Sequence, residues 1–167
     1  EATPKVSIVI PTNDHSQLLQ RCLTSVLEKT TYQNYDITLV ENNSTEQETF
    51  AYYDRIQDQN EKIKVVTWPG TGFNYSAICN YGAAHCDGEI LLFLNNDTVI
   101  INGDWLDSMV GFFARPEVGI VGAKLLFPDN LVQHGGVWVS ADHVGYLSDM
   151  LSDKDGGYME TMRYPYN

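Results

Sequence analysis

Two amides and one carboxylate follow directly on a run of large apolar residues. Asn95, Asn96 and Asp97 come after Leu91 to Leu94, so side chains that can bind a ligand begin where a buried segment ends. Mg²⁺ and Mn²⁺ take oxygen ligands, often from only one or two carboxylates together with the phosphate oxygens of a substrate. Asp97 is therefore the predicted metal ligand, and a divalent metal, Mn or Mg, would act as a Lewis acid on a leaving diphosphate.

Similar polar clusters follow two other predicted strands. Pro11-Thr12-Asn13 ends the first strand, and Glu41-Asn42-Asn43-Ser44 ends the second. Ligands of open α/β sheets bind outside the carboxyl ends of the strands, near the point where the strand order reverses, so we predict that these clusters converge with Asn95-Asn96-Asp97. The alternative is that each cluster serves only local turn and cap hydrogen bonds, which Asn, Asp, Ser and Thr favour.

The elements that must position these clusters can be read from apolar periodicity. Predicted strands cover Val6 to Ile10, Asp36 to Glu41, Ile63 to Thr67, Glu89 to Leu94 and Gly119 to Phe127, and a returning strand covers Leu131 to Val139. Predicted helices cover the stripe from Leu18 to Leu27, a segment ending near Asp58, Ser76 to His85, and Trp105 to Phe113. This alternation predicts an α/β fold: a mainly parallel central sheet with helices on both faces, plus a C-terminal β-hairpin.

Helix caps can also be predicted from the sequence. Ser16 or Asp14 is available as the N-cap of the first helix. Ser44 with Gln47, or Thr45 with Glu48, has the spacing of a capping box for the second.

Length and charge restrict the classes of function. The 167 residues predict one domain, residues 1–167, and the abrupt ends predict a domain truncated at its C-terminus. Ten Lys and Arg against 22 Asp and Glu give a net charge of -12, which opposes binding to nucleic acid. No apolar run approaches the roughly 18 residues of a transmembrane segment. The odd number of cysteines, Cys22, Cys79 and Cys86, with no spacing typical of a metal site, predicts reduced thiols and therefore a cytoplasmic protein. Any attachment to the inner face of the membrane would be made by parts outside this chain.

The ordered set of segments resembles family-two glycosyltransferases with the GT-A fold. The resemblance rests on VSIVIPTND, DITLVENNST, GTGFNYSAICNYG, GEILLFLNNDT and the run from WLDSM to LLFPDN, and it covers nearly all of positions 5 to 140. It implies transfer of a sugar from a nucleotide-diphospho-sugar, linked to UDP, dTDP or GDP, to a saccharide or lipid-linked acceptor. Inversion at the anomeric carbon and a divalent metal are also implied. The LNNDT version is similar to the rhamnosyltransferase-like branch, which implies a role in bacterial surface polysaccharide synthesis.

The resemblance also implies residue roles at the nucleotide-sugar site. Pro11 and Thr12 would line the nucleotide pocket, with Asn43 beside them, and Glu41, in place of the commoner Asp, would contact the base or ribose. Gly72, Phe73, Asn74 and Asn80 match the segment that covers the nucleotide and pyrophosphate. Asn95-Asn96-Asp97 matches the Asp-x-Asp metal motif with Asn in its first position, and its last residue, Asp97, would ligate the metal directly.

Other implied features lie further along the chain. His134, in Gln133-His134-Gly135-Gly136, would border the sugar or diphosphate, or else be a structural histidine. The resemblance places the catalytic base, an Asp or Glu, beyond Asn167, so no catalytic residue is assigned here. Tyr52, Tyr53, Tyr75 and Tyr81 are predicted to pack in the core, although Tyr75 follows Asn74 closely enough to keep a role in the site open.

Two other functions compete with the transferase. A non-catalytic binding or scaffolding domain with the same fold is favoured by Asn95 and by the missing base. A nucleotidyltransferase would present a loop rich in Gly and containing Lys or Arg after the first strand, but the loop here reads PTNDHS.

Overall fold

The chain divides into two compact units. The computed structural model describes residues 3–146, 150–152 and 154. The units are Glu1–Asp107 and Ser108–Asn167. The first unit contains the central sheet and the three polar clusters, and the second contains short antiparallel strands. The expectation of one domain over residues 1–167 stays a prediction.

The central sheet is entirely parallel. Its strands are β1 Val6–Thr12, β2 Tyr35–Glu41, β3 Ile63–Thr67 and β4 Ile90–Phe93, in the order β3-β2-β1-β4. β1 is paired on both sides, since Ile8 lies opposite Ile37 of β2 and Leu92 of β4. The chain adds β2 and β3 on one side of β1 and β4 on the other, so the strand order reverses at β1. The predicted parallel α/β sheet is confirmed.

Three helices form the crossovers between these strands, and a fourth follows β4. Their bounds are α1 Ser16–Lys29, α2 Gln47–Gln59, α3 Tyr75–Ala83 and α4 Trp105–Gly111, the last extended by a 3₁₀ turn at Phe112–Ala114. Right-handed crossovers place α1 and α2 on the face of the sheet opposite α3, because the chain reverses its direction across the sheet after β3. No helix within the described residues combines the length and the apolar composition needed to cross a membrane.

The packing of α3 depends on the absence of a side chain at Gly82. Ile78 of α3 packs with Val9 and Val40, the three side chains being fully buried. A Cβ at Gly82 would lie 2.5 Å from Val9 Cγ1 and 2.6 Å from Val40 Cγ2, closer than van der Waals contact allows. Gly82 therefore lets α3 lie directly on β1 and β2, which sets the distance between the helix and the face of the sheet.

The helix caps differ from those predicted. The N-cap of α1 is His15, in a left-handed conformation and without a side-chain capping bond. The capping box of α2 is wrong: its N-cap is Glu46, which also makes no side-chain capping bond. Thr45 N–H and Glu46 N–H donate instead to Asp14 Oδ1, each over 2.9 Å, so the cap comes from a distant segment.

The second unit has less regular structure than predicted. Its strands are β5 Leu125–Leu126, β6 Val132–His134, β7 Val137–Val139 and β8 Val144–Tyr146, which pair as two antiparallel ribbons, β5 with β6 and β7 with β8. The predicted strand Gly119 to Phe127 shrinks to β5, because its glycines favour other conformations and Ile120 is 92% exposed. The predicted returning strand is broken at Gly135 and Gly136 into β6 and β7. The expected C-terminal hairpin is the antiparallel pair β5–β6, and the pair of β7 with β8 is a second hairpin that was not predicted.

Candidate functional site

The three polar clusters lie together at the carboxyl edge of the sheet. Thr12 and Glu41 are partners in the β1–β2 register, and Asn42 N–H donates to Thr12 O over 2.9 Å. On the other side of β1, Asn96 Nδ2 donates to Thr12 Oγ1 over 3.3 Å. Thr12 is therefore in contact with both neighbouring clusters, although they are separated by more than 50 residues of sequence.

The loop Asn95-Asn96-Asp97 is held by contacts with β1, α1 and α3, while the carboxylate of Asp97 is exposed to solvent. Asn95 O accepts a weak bond from the Cys22 thiol of α1 over 3.7 Å, and Asn95 Oδ1 accepts from the Tyr75 hydroxyl of α3 over 3.3 Å. Burial, and secondarily the charge of Asp97, raises the pKa of Cys22 to about 12, so this thiol stays a donor at neutral pH. Asp97 itself is exposed in the turn that follows.

The cluster after β2 is ordered by its own hydrogen bonds. Glu41 is only 4% exposed, and its Oε1 accepts from Ser44 N–H over 2.5 Å. Asn43 is exposed with φ of 57°, a left-handed conformation that Asn tolerates. Its Nδ2 donates to Asn42 Oδ1 over 2.8 Å and to Gly70 O over 3.3 Å, which ties the turn after β2 to the loop after β3. This cluster therefore makes the local turn hydrogen bonds given as the alternative, and it also converges with the other polar clusters at the edge of the sheet.

The segment before α3 presents exposed groups at the same edge. Gly72 has φ of 73°, which a residue with a Cβ rarely adopts, and Phe73 is 77% exposed. Asn74 caps α3, because its Oδ1 accepts from Ala77 N–H over 3.1 Å. Asn80 is exposed on α3. Tyr75 is 43% exposed, so the predicted core packing is wrong for this tyrosine, while Tyr52 and Tyr53 are buried as predicted.

Asp14 links the loop after β1 to the start of α2. Besides the two backbone bonds, its Oδ2 accepts from Thr45 Oγ1 over 3.1 Å. The bond from Glu46 N–H, the largest cause, together with those from Thr45, lowers the pKa of Asp14 below its ordinary value. The deprotonated carboxylate therefore stabilises this side of the site, where α1 and α2 begin.

Replacing Asp14 with alanine should lower the melting temperature in a pH-dependent way. Because the folded-state pKa is lowered, the contribution is complete above the ordinary pKa of 3.8 and is lost as pH falls through the lowered value. Thermal unfolding followed by circular dichroism should show a constant difference from the parent chain above about pH 5 and a shrinking one below about pH 4. Asp54→Ala, at an exposed position of α2, is the control. A pH-independent difference for Asp14→Ala would contradict the assigned cause.

The residues at the edge fit a metal only if a ligand supplies most of the coordination. Within the described part of the chain, no group of three or more His, Cys, Asp or Glu side chains is placed to hold a metal ion. Asp97 offers one exposed carboxylate, and Asn95 and Asn96 are neutral. A hard cation shared with the oxygens of a diphosphate needs no more than this from the protein.

His134 belongs to the second unit, where it lies in β6 opposite Leu125 and is half-buried. Its position at the sugar or diphosphate stays a prediction. The same holds for the catalytic base expected beyond Asn167.

Sequence reasoning missed two residues that hold the site together. The sequence predicts Asp14 only as a cap for α1 and contains no signal that its carboxylate meets Thr45 and Glu46. Tyr53 is the second: burial, the largest cause, raises its pKa, and its hydroxyl lies 3.4 Å from Ser44 Oγ. The Asp14 contacts join segments 31 and 32 residues apart, and the Tyr53 contact joins α2 to the turn nine residues before it, at a spacing that helix periodicity does not report.

Comparison with known protein families identifies the family of this chain. The family model described as Glycosyl transferase family 2 matches residues 7–136. The chain belongs to glycosyl transferase family 2. The matched residues run from the second residue of β1 to the turn after β6, so the family assignment includes the whole sheet edge.

Two curated relatives of this family-2 chain are much longer than it is. The O-antigen biosynthesis protein RfbC of Myxococcus xanthus is 47% identical over 137 residues, 82% of this chain and 10% of that protein. The uncharacterized protein y4gI of Sinorhizobium fredii (strain NBRC 101917 / NGR234) is 42% identical over 168 residues, 100% of this chain and 18% of that protein. The chain thus spans less than a fifth of either relative.

Solved glycosyltransferase structures share the fold. The mannosyltransferase PcManGT from Pyrobaculum calidifontis, in complex with GDP-Man and Mn²⁺, aligns with a TM-score of 0.63 and 22% identity, over 71% of this chain and 34% of that one. S. aureus TarS 1-349, in complex with UDP-GlcNAc, aligns with a TM-score of 0.54 and 22% identity, over 66% of this chain and 31% of that one. These likenesses confirm the GT-A fold of the family-2 chain.

Proposed function

We propose that the chain is the donor-binding part of a glycosyltransferase that takes a sugar from a nucleotide-diphospho-sugar. The observation that carries the proposal is the exposed carboxylate of Asp97, at the edge where β1, β2 and β4 bring polar clusters together. The ligand complexes of the structural neighbours, with GDP-Man and with UDP-GlcNAc, support a nucleotide-sugar as the ligand. The name of the Myxococcus relative supports a role in bacterial surface polysaccharide synthesis, with a saccharide or lipid-linked acceptor.

The charge of the chain favours a metal at this site. With a net charge of -12, the general field repels a diphosphate, so local positive charge is needed. A divalent cation, Mn or Mg, would supply that charge and polarise the leaving diphosphate. Asp97 would hold it, while Asn95 and Asn96 would contribute neutral amide groups beside it. The Mn²⁺ in the PcManGT complex supports this choice of cofactor.

The remaining residues would surround the nucleotide. Thr12 and Glu41 end neighbouring strands, and both are nearly buried, so they would form a rigid base of the nucleotide site, which we call the floor. Pro11 and Asn43 would border this floor, Gly72, Phe73, Asn74 and Asn80 would cover the nucleotide from the side of α3, and His134 would border the sugar. The cytoplasm, where nucleotide-sugars are made, is the compartment we propose.

A non-catalytic binding domain is the second candidate, favoured by the neutral Asn95 in the first position of the metal motif. It would bind the same nucleotides without metal dependence. The nucleotidyltransferase has no support in the loop Asn13 to His15, which contains neither Gly, Lys nor Arg.

Calorimetric titration with UDP, dTDP and GDP, each with Mn²⁺ and with EDTA, tests the proposal. We expect the chain to bind at least one of the three diphosphates, and to bind it more tightly with Mn²⁺. Binding of equal strength in EDTA would favour the non-catalytic domain. A failure to bind any of the three in Mn²⁺ would overturn the proposed function.

A further inference from the structure

The side chain of Asn95 is oriented by a hydrogen bond from another element. The Tyr75 hydroxyl, on the first residue of α3, donates to Asn95 Oδ1 over 3.3 Å. A carboxamide carries its acceptor and its donors on opposite sides, so fixing the oxygen toward α3 turns the Asn95 NH₂ group away from α3. Asn95 is exposed, and this NH₂ group can therefore donate to a ligand at the edge.

Hydrogen bonds hold the main chain of Asn95 in place, so only its side-chain amide can reorient. Asn95 O accepts from the Cys22 thiol over 3.7 Å and from Thr98 N–H over 3.3 Å. Cys22 is fully buried, so this anchor does not move independently of the core. Tyr75 acts on the one part of the residue that the main chain leaves unrestrained.

The Tyr75 hydroxyl is suited to donate at neutral pH. Partial burial, the largest cause, and a hydrogen bond with the neighbouring Cys79 thiol raise the pKa of Tyr75 above its ordinary value, so the phenol is protonated at neutral pH. Cys79 is itself buried one turn further along α3. Cys22, which contacts Asn95, and Cys79, which contacts Tyr75, thus both lie in the core, so the two residues of the Tyr75–Asn95 bond rest on rigid neighbours.

An oriented amide at position 95 would have a specific advantage for an anionic ligand. A carboxylate there could only accept hydrogen bonds, and it would add negative charge next to Asp97 in a chain that already carries -12. An amide whose N–H groups face the ligand donates to phosphate oxygens instead. The Asn-Asn-Asp sequence then combines one carboxylate for a cation with one directed donor for an anion.

We propose that Tyr75 is a positioning residue for donor binding: its hydroxyl holds the Asn95 amide with the N–H groups directed at the diphosphate. This inference rests on the proposed function, because it names the diphosphate of the donor as the group that Asn95 meets. Tyr75 itself does not need to touch the ligand.

A double-mutant cycle tests the proposal. Calorimetry in Mn²⁺ would measure the affinity of UDP, dTDP, GDP and inorganic pyrophosphate for the parent chain, Tyr75→Phe, Asn95→Ala and the double variant. Tyr75→Phe should weaken the nucleoside diphosphate and pyrophosphate alike, by roughly three- to tenfold, as expected for one directed hydrogen bond. In the Asn95→Ala background the same substitution should have no effect.

Tyr81→Phe is the matched control, because it makes the same change on the same helix. The Tyr81 ring packs against the Val9–Val40–Ile78 cluster and lies 4.4 Å from the His85 ring, so it serves packing. This control should bind all four ligands like the parent chain. Melting temperatures of all variants would show that each is folded.

Two results separate this inference from the proposed function. If the parent chain binds a nucleoside diphosphate but Tyr75→Phe binds it equally well, the positioning role is overturned and the proposed function stands. If the loss persists undiminished in the Asn95→Ala background, Tyr75 acts through another group, and the inference is again overturned. A parent chain that binds neither nucleoside diphosphate nor pyrophosphate would overturn both.

Discussion

Replacing Asp97 with alanine should abolish the part of nucleotide binding that depends on Mn²⁺. Asp97 is the exposed carboxylate of the Asn95-Asn96-Asp97 loop, and the other two side chains are neutral amides. Loss of a residue that only orients a metal ligand costs roughly 10- to 100-fold in metal affinity, so loss of the ligand itself should cost at least as much. Calorimetry with UDP, dTDP and GDP, in Mn²⁺ and in EDTA, would measure the effect.

The comparison needs a control for the loss of negative charge. Asp58→Ala removes an exposed carboxylate near the end of α2, far along the helix from its N-terminus, where the candidate site lies. This variant should keep the full Mn²⁺ dependence. If Asp97→Ala binds the diphosphate with unchanged affinity and unchanged Mn²⁺ dependence, the metal assignment is wrong.

Replacing Glu41 with glutamine should weaken nucleoside diphosphates and leave pyrophosphate nearly unchanged. We expect Glu41 to accept a hydrogen bond from the base imide or a ribose hydroxyl, neither of which pyrophosphate contains. Leaving a buried polar partner unpaired costs on the order of 1 to 3 kcal/mol, which is about 5- to 150-fold in affinity. Competition binding with the two ligand types on one protein sample would give the ratio directly.

Glutamine is the appropriate replacement because of what Glu41 does within the fold. Glu41 Oε1 accepts from Ser44 N–H, and a glutamine carbonyl can accept the same bond, so the turn after β2 is kept. Glu41→Ala would lose this bond as well and should lower the melting temperature. Equal losses of affinity for nucleoside diphosphate and pyrophosphate in Glu41→Gln would place Glu41 away from the base and ribose.

The sheet was predictable because its strands carry their signal locally. The β3 bounds, Ile63–Thr67, match the prediction, and β1 and β2 differ from it by only one or two residues at an end. β-branched and apolar residues buried on both faces give a continuous apolar run, which short segments of sequence reveal. The parallel direction of the strands followed from their alternation with helices, because each crossover helix returns the chain to the same end of the sheet. The order β3-β2-β1-β4 is known only from the structure.

The candidate site was predictable only to the level of which loops converge. That Pro11, Glu41 and Asp97 share an edge follows from parallel strands, but the bonds between loops do not follow from any local pattern. Asp14 caps the turn before α2 across about 30 residues, and Tyr75 reaches Asn95 across 20 residues of sequence. Such pairs depend on the distance between elements, which packing determines. The prediction of a strand from Gly119 to Phe127 was wrong over most of its length for a related reason, since only Leu125 and Leu126 have a partner strand. An apolar run that lacks a partner strand need not be extended.

The contact made by Gly82 implies that three positions of the chain cannot change independently. The space that a Cβ would need there is filled by methyl groups of Val9 and Val40, on two neighbouring strands. A larger residue at position 82 would therefore have to be accompanied by a smaller one at position 9 or 40, or α3 would have to rise from the sheet. Because α3 begins at Tyr75, such a rise would also move the donor of the bond to Asn95. The size of the residue at position 82 should accordingly covary with the sizes at positions 9 and 40 among family members that keep the same ligand site.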